Sequence, residues 1–471
     1  MTKAKISFLL EDEIRTIHNA SLQVLESTGI EVMSERALDI LNKAGARVDY
    51  EKNRVTIPRN LVQEALRRAP SIIKYCARNP KYDLVLNKQE PRFVADGNPP
   101  FIMDWELGKR RYSTSEDLAR CAVVGDYLSH VHFLWTMCTA NDIPAPMQGL
   151  TEFVTCLRNT EKHIEHEALD ARNAQYQIEI AAAVAGGREK LRERPIISAV
   201  QCPISPLRFD KGITEASIEY AKAGIPVVPL PMPLAMETSP ATLAGTLAIS
   251  NAENLASLVI SEFASSGAPA VYSTAACVAD PSSGTATESS SASLLNLGSA
   301  QIAHYYGLPC EICGSAALYL SLWMAQHSCE TVMGVNPSLS SGADIICGWA
   351  ASPEALVMDN EIIGSVLELA QGFEINEETL AVEVINKVGP GGTFLGEKHT
   401  LKHYKELRGP RLNDVNTYET WESMDFKLER AKEKVKEILA THKPEPIPED
   451  VDKEISRILN RAETEFLKKE L

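Results

Sequence analysis

Positive charge is in short supply: 47 Lys and Arg stand against 63 Asp and Glu, a formal net charge of −16. So acidic a chain repels a polyanion, which argues against nonspecific nucleic-acid binding. Glycine and proline are also sparse, 26 of each in 471 residues, while 44% of the chain is hydrophobic and 23% charged. That balance excludes a disordered chain and suits one long enough to bury more than one core. Long apolar runs are missing: the least polar stretches, Gly224 to Met236 and Ala316 to Ala325, are too short or too proline-rich to cross a bilayer. Residues Met1 to Leu10 lack the apolar stretch and small-residue cleavage site of a secretory leader. The ten cysteines fall at irregular positions in mostly apolar contexts, the pattern of reduced core thiols, and the expected location is cytoplasmic.

What the chain has is periodicity. From Glu11 onward Ile14, Ile17, His18, Leu22 and Leu25 share one helical stripe that Gly29 ends, and a second helix is predicted over Ser34 to Lys43, closed by Gly45. The short piece Arg54 to Pro58 and a third helix, Asn60 to Arg68, complete a small α-rich cap without obvious chemistry. Between Pro91 and Tyr112, the turn-rich segments Asp96-Gly97-Asn98-Pro99 and Glu106-Leu107-Gly108-Lys109 flank short apolar runs, as in β-hairpins. The expected organisation is a cap over residues 1–112, a main domain over 113–400 and a helical extension over 401–471. In the extension, Lys427 to Ala440 reads as a charged amphipathic helix, Lys443 to Pro448 as a proline-rich linker and Val451 to Lys468 as a final charged helix. These tails are expected to pack on the main domain or on another subunit.

The main domain alternates short apolar runs with longer helix-like stretches. The candidate strands are Val131 to Met137, His163 to Glu167, Ile196 to Cys202, Val227 to Met232, Ala270 to Ala275, Cys310 to Ser315 and Ile345 to Trp349. Each is apolar on both faces, as in a parallel sheet covered by helices. Seven such runs, with an eighth, unplaced strand at Phe93 to Ala95, predict an α/β protein of the (β/α)8 TIM-barrel type. Neither GxGxxG nor GxxxxGK[ST] follows the first strand, which argues against an open dinucleotide-binding sheet.

Several segments, in order, carry a resemblance. They are Arg194-Pro195, Ser205-Pro206-Leu207, Gly224-Ile225-Pro226, Thr242-Leu243-Ala244-Gly245 with Asn251-Ala252-Glu253, and Tyr306-Gly307-Leu308-Pro309. Then come Leu356-Val357-Met358-Asp359-Asn360-Glu361 and the run Val388 to Gly396 with His399-Thr400. Together they resemble the trimethylamine methyltransferase family of corrinoid-dependent amine methyltransferases, over most of the chain. The resemblance implies a TIM-barrel enzyme that moves a methyl group from an amine to the Co(I) form of a corrinoid (cobalamin) supplied by a partner protein. It also implies a role in one-carbon metabolism. The family's trimethylamine enzymes carry pyrrolysine near the end of the sixth strand. Here Gly314 to Ser321 is ordinary and apolar, so the chain resembles the members that use quaternary amines such as glycine betaine, proline betaine or carnitine. A second departure is the short passage from Gly348-Trp349 to Ser352-Pro353-Glu354, which should reshape the pocket mouth.

Co(I) is a strong nucleophile and a quaternary ammonium already has a neutral amine as leaving group, so the protein's task is placement and water exclusion rather than acid–base chemistry. No catalytic side chain, metal or tightly bound cofactor of its own is expected. Aromatic faces and a few carboxylates suit such a cation. At or beyond the strand ends stand Trp135, Tyr272, Trp349 and Tyr319. In His163-Ile164-Glu165-His166-Glu167, alternation puts His163, Glu165 and Glu167 on one face, with Glu165 or Glu167 a candidate counter-charge. Gln201 is a candidate donor to a betaine carboxylate. Cys310 and Cys313 have the strand parity of opposite faces, which argues against shared zinc. Gly389 to Gly392 reads as a tight turn, and His399 as a residue near the corrinoid or a helix cap. A homo-oligomer is expected. Two other readings stay open: a pyrrolysine-independent tertiary methylamine demethylase, and a non-catalytic quaternary-ammonium binding protein.

Overall fold

The computed structural model describes residues 6–87, 91–95, 97–287, 289–313, 339, 341–348, 352–407, 417 and 428–467. Its centre is an eight-stranded parallel sheet: β1 (Arg92–Ala95), β2 (Phe133–Trp135), β3 (Ile164–His166), β4 (Ile197–Gln201), β5 (Val227–Pro229), β6 (Tyr272–Thr274), β7 (Cys310–Cys313) and β8 (Ile345–Cys347). Each strand pairs with its neighbours in chain order, β8 returns to β1 through Ile346 opposite Phe93, and a parallel bridge from Val227 to Ala270 joins β5 to β6. The result is the expected TIM barrel. The eighth strand, Phe93 to Ala95, proves to be the first in chain order, so the barrel begins ahead of residue 113. The hairpin Phe101–Asp104 with Lys109–Tyr112 is an insertion after β1. Cys310–Cys313 is accordingly the seventh barrel strand, not the sixth.

The helices that wrap the barrel include Ser115–Tyr127, Ala145–Asn159, Ala171–Ala185, Lys211–Ala223, Leu243–Ala264, Ser290–Tyr306 and Pro353–Gln371. Their starts are written in polar side chains: Thr114, Asp170, Asp210, Thr242, Ser289 and Ser352 each accept a hydrogen bond from a first-turn amide. Leu243–Ala264 is long and apolar enough to cross a membrane, but 72% of its most apolar window is buried. It is enclosed by the barrel and by the N-terminal helices Glu11–Ser27, Glu35–Ala44 and Arg59–Arg68.

Those three helices match their predicted positions, and with them comes a small sheet of Ile30–Val32, Arg47–Asp49 and Arg54–Thr56. Gly29 is fixed by this sheet: its φ is +70°, and a Cβ would sit 2.2 Å from the carbonyl oxygen of Val55. The hairpin Ile73–Tyr75 and Leu84–Leu86 packs with the barrel's inward-facing Val94, Phe133, Val200, Val271 and Ile345, stoppering one end of the interior. The final helices, Leu428–Thr441 and Glu449–Leu467, pack on the barrel's helices, where His442 Nε2 meets the buried Asp126 at 2.8 Å and Arg158 pairs with Asp452.

Candidate functional site

Strand alternation sorts the interior residues. Val94, Phe133, Trp135, Val200, Val228, Val271, Cys313, Ile345 and Cys347 form one inward cluster. Among these apolar side chains stand two fully buried carboxyls, Glu165 on β3 and Glu311 on β7, near enough for Glu311 to influence the ionisation of Glu165. Ser198 Oγ donates to Glu165 Oε2 at 2.8 Å and Tyr75 OH reaches the same oxygen at 3.2 Å. Tyr75 stacks on His163, centroids 4.3 Å apart, and meets Phe133 edge-on. His163 lies 3.0 Å from Ser198 Oγ through Nε2, and 2.7 Å from the Cys76 carbonyl through Nδ1.

Burial holds His163 neutral, its pKa lowered to about 3. The same burial pushes the Glu165 carboxyl upward, against the influence of Glu311 and the hydrogen bonds from Ser198 and Tyr75, which favour its charged form. Among the described residues no Lys or Arg contributes to that balance.

Toward the C-terminal ends of β1 to β3, Trp135 lies over Gly97, and its buried Nε1 has no hydrogen-bond partner among the described residues. Beside it opens a cleft of about 360 Å³ lined in part by Asn98, Gln148, Glu152, His166, Glu167 and Asp170. Glu167 accepts from Asn98 Nδ2 at 3.1 Å, and Glu152, its pKa raised by burial, accepts from the Ala140 amide. His166 faces outward, its ring stacked parallel to Phe153 and its nitrogens engaged by Thr136 and the Gly149 carbonyl.

The predicted site residues therefore divide. Trp135, Glu165 and, at the mouth, Glu167 share the inner parity. Tyr272 does not: the interior neighbours on β6 are Val271 and Ser273, while the Tyr272 hydroxyl points into the helical layer and donates to Asn251 Oδ1 at 3.2 Å. Gln201 shares the parity of Ala199, whose side chain packs against the helices, rather than that of Val200. Trp349 and Tyr319, together with the segment Gly314 to Ser321, lie outside the described residues. Cys310 and Cys313 fall on opposite faces of β7, as their spacing predicts. Cys310 instead lies near His304 and Asp344, a set of metal-capable groups at the other end of the strand from the cleft.

Three features escaped the sequence reading. Glu311 is a lone charge within the apolar Cys-Glu-Ile-Cys strand, a signal that was present but overshadowed by the cysteines. Tyr75 reaches the core from a cap that carried no visible chemistry. Gly97 reads as a turn residue, and only the indole laid against it reveals the close approach.

The whole of this arrangement has relatives. Residues 1–466 match the model of the trimethylamine methyltransferase family. A trimethylamine methyltransferase of Desulfitobacterium hafniense is 35% identical, over 97% of this chain and 94% of that protein. A glycine betaine methyltransferase of the same species, strain Y51, is 32% identical, over 97% of each chain. The crystal structure of the monomethylamine methyltransferase of Methanosarcina barkeri superposes with a TM-score of 0.53 at 12% identity, covering 93% of this chain and 90% of that one, which bears on the fold alone. On the family match and on these two sequence relatives together, the chain belongs to the trimethylamine methyltransferase family.

Proposed function

We propose that this protein transfers a methyl group from a quaternary amine of the betaine class to the Co(I) of a corrinoid carried by a separate protein. One observation carries the cationic substrate: a buried carboxyl pair with, among the described residues, no basic side chain contributing to the ionisation of Glu165, set in an apolar, aromatic-lined barrel interior. Carboxyls so placed stay protonated when alone and ionise when a cation arrives to compensate them. The indole of Trp135 adds an aromatic face, and its unpartnered N–H is a donor for a carboxylate elsewhere on the substrate.

In the transfer, the C–N bond breaks with its electron pair going to nitrogen, which leaves as a neutral tertiary amine. The methyl acceptor's electron pair forms the new carbon–cobalt bond. No side chain need donate or accept a proton; the residues position the ammonium, balance its charge and exclude water. The partner approaches the C-terminal mouth, because the hairpin bearing Tyr75 fills the other end.

The ordinary residues at Gly314 to Ser321 favour a quaternary over a tertiary amine; the names of the relatives span both. Incubation with Co(I) cobalamin and a panel of glycine betaine, proline betaine, carnitine and trimethylamine tests the reading. Formation of methyl-Co(III) with a betaine is the expected spectrum. Conversion with trimethylamine alone would establish the tertiary-amine demethylase instead, and betaine binding without any conversion would establish a binding protein.

A further inference from the structure

At the end of β7 remote from the mouth, three elements converge on one small volume. Helix Ser290–Tyr306 stops at Gly307, which takes the left-handed φ of +76°, and the amides of Gly307 and Leu308 bond back to the carbonyls of His304 and Ala303. The chain then reverses through Leu308 and Pro309 and enters β7 directly. His304, in the last helical turn, thereby lies beside Cys310, the first residue of the strand, with Nε2 3.8 Å from the Cys310 sulfur. Asp344, the residue before β8, arrives from the other side: its Oδ2 accepts the Cys310 amide at 3.0 Å. The approach to β8 also passes so close to the imidazole that a Cβ on Gly342 would stand 3.3 Å from His304 Cε1.

One ligand-capable atom from each of His304, Cys310 and Asp344 lies within 4.8 Å of the other two. Two arrangements of these residue types carry chemistry: a relay, in which the carboxylate orients the imidazole and the imidazole deprotonates the thiol, and a set converging on an ion. A relay places the carboxylate on the imidazole nitrogen that faces away from the nucleophile. Here the Asp344 carboxylate is bonded to the amide of the cysteine itself. A relay also needs a sulfur within reach of a substrate, and Cys310 is 0% exposed. Convergence fits the distances instead. A sulfur and an imidazole nitrogen on one tetrahedral zinc ion, at about 2.3 and 2.1 Å from it, stand about 3.6 Å from each other. The observed 3.8 Å needs an adjustment of a few tenths of an ångström, which a His304 side chain at a half-buried helix end can make.

We infer that His304, Cys310 and Asp344 form a structural site for zinc. The donor set selects the class of ion: thiolate and imidazole suit zinc, whereas calcium and magnesium take oxygen ligands. A thiolate and a carboxylate together bring two negative charges, so a dication leaves the site neutral where Cys310 and Asp344 are buried. The half-buried His304 marks the side by which the ion enters and a water completes the coordination. The parity that argued against zinc concerned Cys310 with Cys313; these partners come from a helix end and from the approach to another strand, which spacing along β7 cannot reveal. The role is mechanical. Cys310 and Asp344 are 34 positions apart, so the ion clamps together the two ends of a long connection, whose closure is entropically costly. The clamp also fixes the start of the strand on which Glu311 stands.

The test takes the full chain, stripped with a chelator, and adds zinc or Co(II). We expect one ion per chain by elemental analysis after dialysis, a thiolate-to-cobalt charge-transfer band in the near ultraviolet, and a melting temperature that rises on loading with zinc. His304→Gln keeps every thiol, yet should lower zinc affinity by more than the roughly tenfold to hundredfold that the loss of an outer-shell partner costs. Cys310→Ser should do the same and erase the charge-transfer band. Far-ultraviolet circular dichroism verifies the fold of each variant, and His304→Gln, at a half-buried helix end, carries the test by itself if Cys310→Ser does not fold. A folded, stripped chain that takes up neither ion at micromolar concentration would overturn the proposal. So would wild-type zinc affinity in folded His304→Gln, which would assign the ion to other cysteines, a Co(II) complex without the thiolate band, or a melt that zinc does not move. None of these outcomes depends on which amine is the methyl donor.

Discussion

The indole of Trp135 rests on the bare backbone of Gly97: a Cβ there would stand 2.2 Å from the ring atoms Cε2 and Nε1. An overlap of that order with a rigid ring leaves no room for a Cβ, so Gly97→Ala must push the indole from its seat. We expect Gly97→Ala and Trp135→Ala to weaken betaine affinity alike, by roughly 0.5 to 2 kcal/mol for the lost π face plus apolar contact. Trp135→Phe should keep most of the π contribution. Calorimetric titration alongside a melting curve separates this from a packing role, in which stability would fall and affinity would not.

The carboxyl pair makes a second prediction. Glu165→Gln and Glu311→Gln preserve size and hydrogen bonding but cannot ionise. Each should cost about 2 kcal/mol or more in betaine affinity, the range for removing one partner of a buried charge contact. In the wild type, betaine binding at neutral pH should expel protons, measurable as a binding enthalpy that varies with the ionisation enthalpy of the buffer. Unchanged affinity in both amide variants, with no buffer dependence, would remove the pair from the substrate site.

Tyr272 faces the helices, so Tyr272→Phe should leave amine affinity where it was. The loss of its bond to Asn251 should appear only as about 1 kcal/mol of stability. A change in affinity would mean that β6 presents its other face to the substrate.

Two buried imidazoles set the acid limb of the stability curve. His132 accepts the Phe93 amide at Nδ1 and His163 is locked in the barrel floor; burial lowers both from 6.5 to about 3. Below pH 6.5 the unfolded chain takes up protons that the folded chain refuses, so stability falls as pH drops from about 6.5 to about 3. Each group steepens the fall by about 1.4 kcal/mol per pH unit. Denaturant unfolding of His132→Gln across this range should show a shallower slope.

Lys162 is buried, with Nζ donating to the carbonyls of Gly125, Leu128 and Val131. It ties the end of helix Ser115–Tyr127 to the approach of β2. Lys162→Met would leave those carbonyls buried without a donor, and we expect a loss of about 3 kcal/mol or more in chemical denaturation. A melt within error of wild type would show that water reaches them.

All eight barrel strands were legible as apolar runs, because a parallel barrel buries both faces of every strand. That same property hid the parity. In Ala-Val-Tyr-Ser-Thr-Ala nothing distinguishes the side turned to the helices, so Tyr272 looked as suitable as Trp135. At His163 to Glu167 the polar groups themselves mark the alternation, and there the inward assignment of Glu165 agrees with the structure. The position of Phe93 to Ala95 in the barrel order was illegible for another reason: a hairpin, not a helix, follows it in the sequence. Tyr75 lay beyond reach because its partners are about ninety residues away in the chain.

The hairpin Ile73–Tyr75 and Leu84–Leu86 closes one end of the barrel and, among the described residues, leaves the C-terminal mouth as its door. For the proposed reaction this dictates a timetable. The methyl donor has to enter before the corrinoid protein closes the mouth, and the demethylated amine is held beneath that protein until it departs. Release is therefore ordered, with the methylated acceptor first and the amine last. Added amine product should then compete with the methyl donor for the free enzyme while leaving the acceptor's own binding step uncontested.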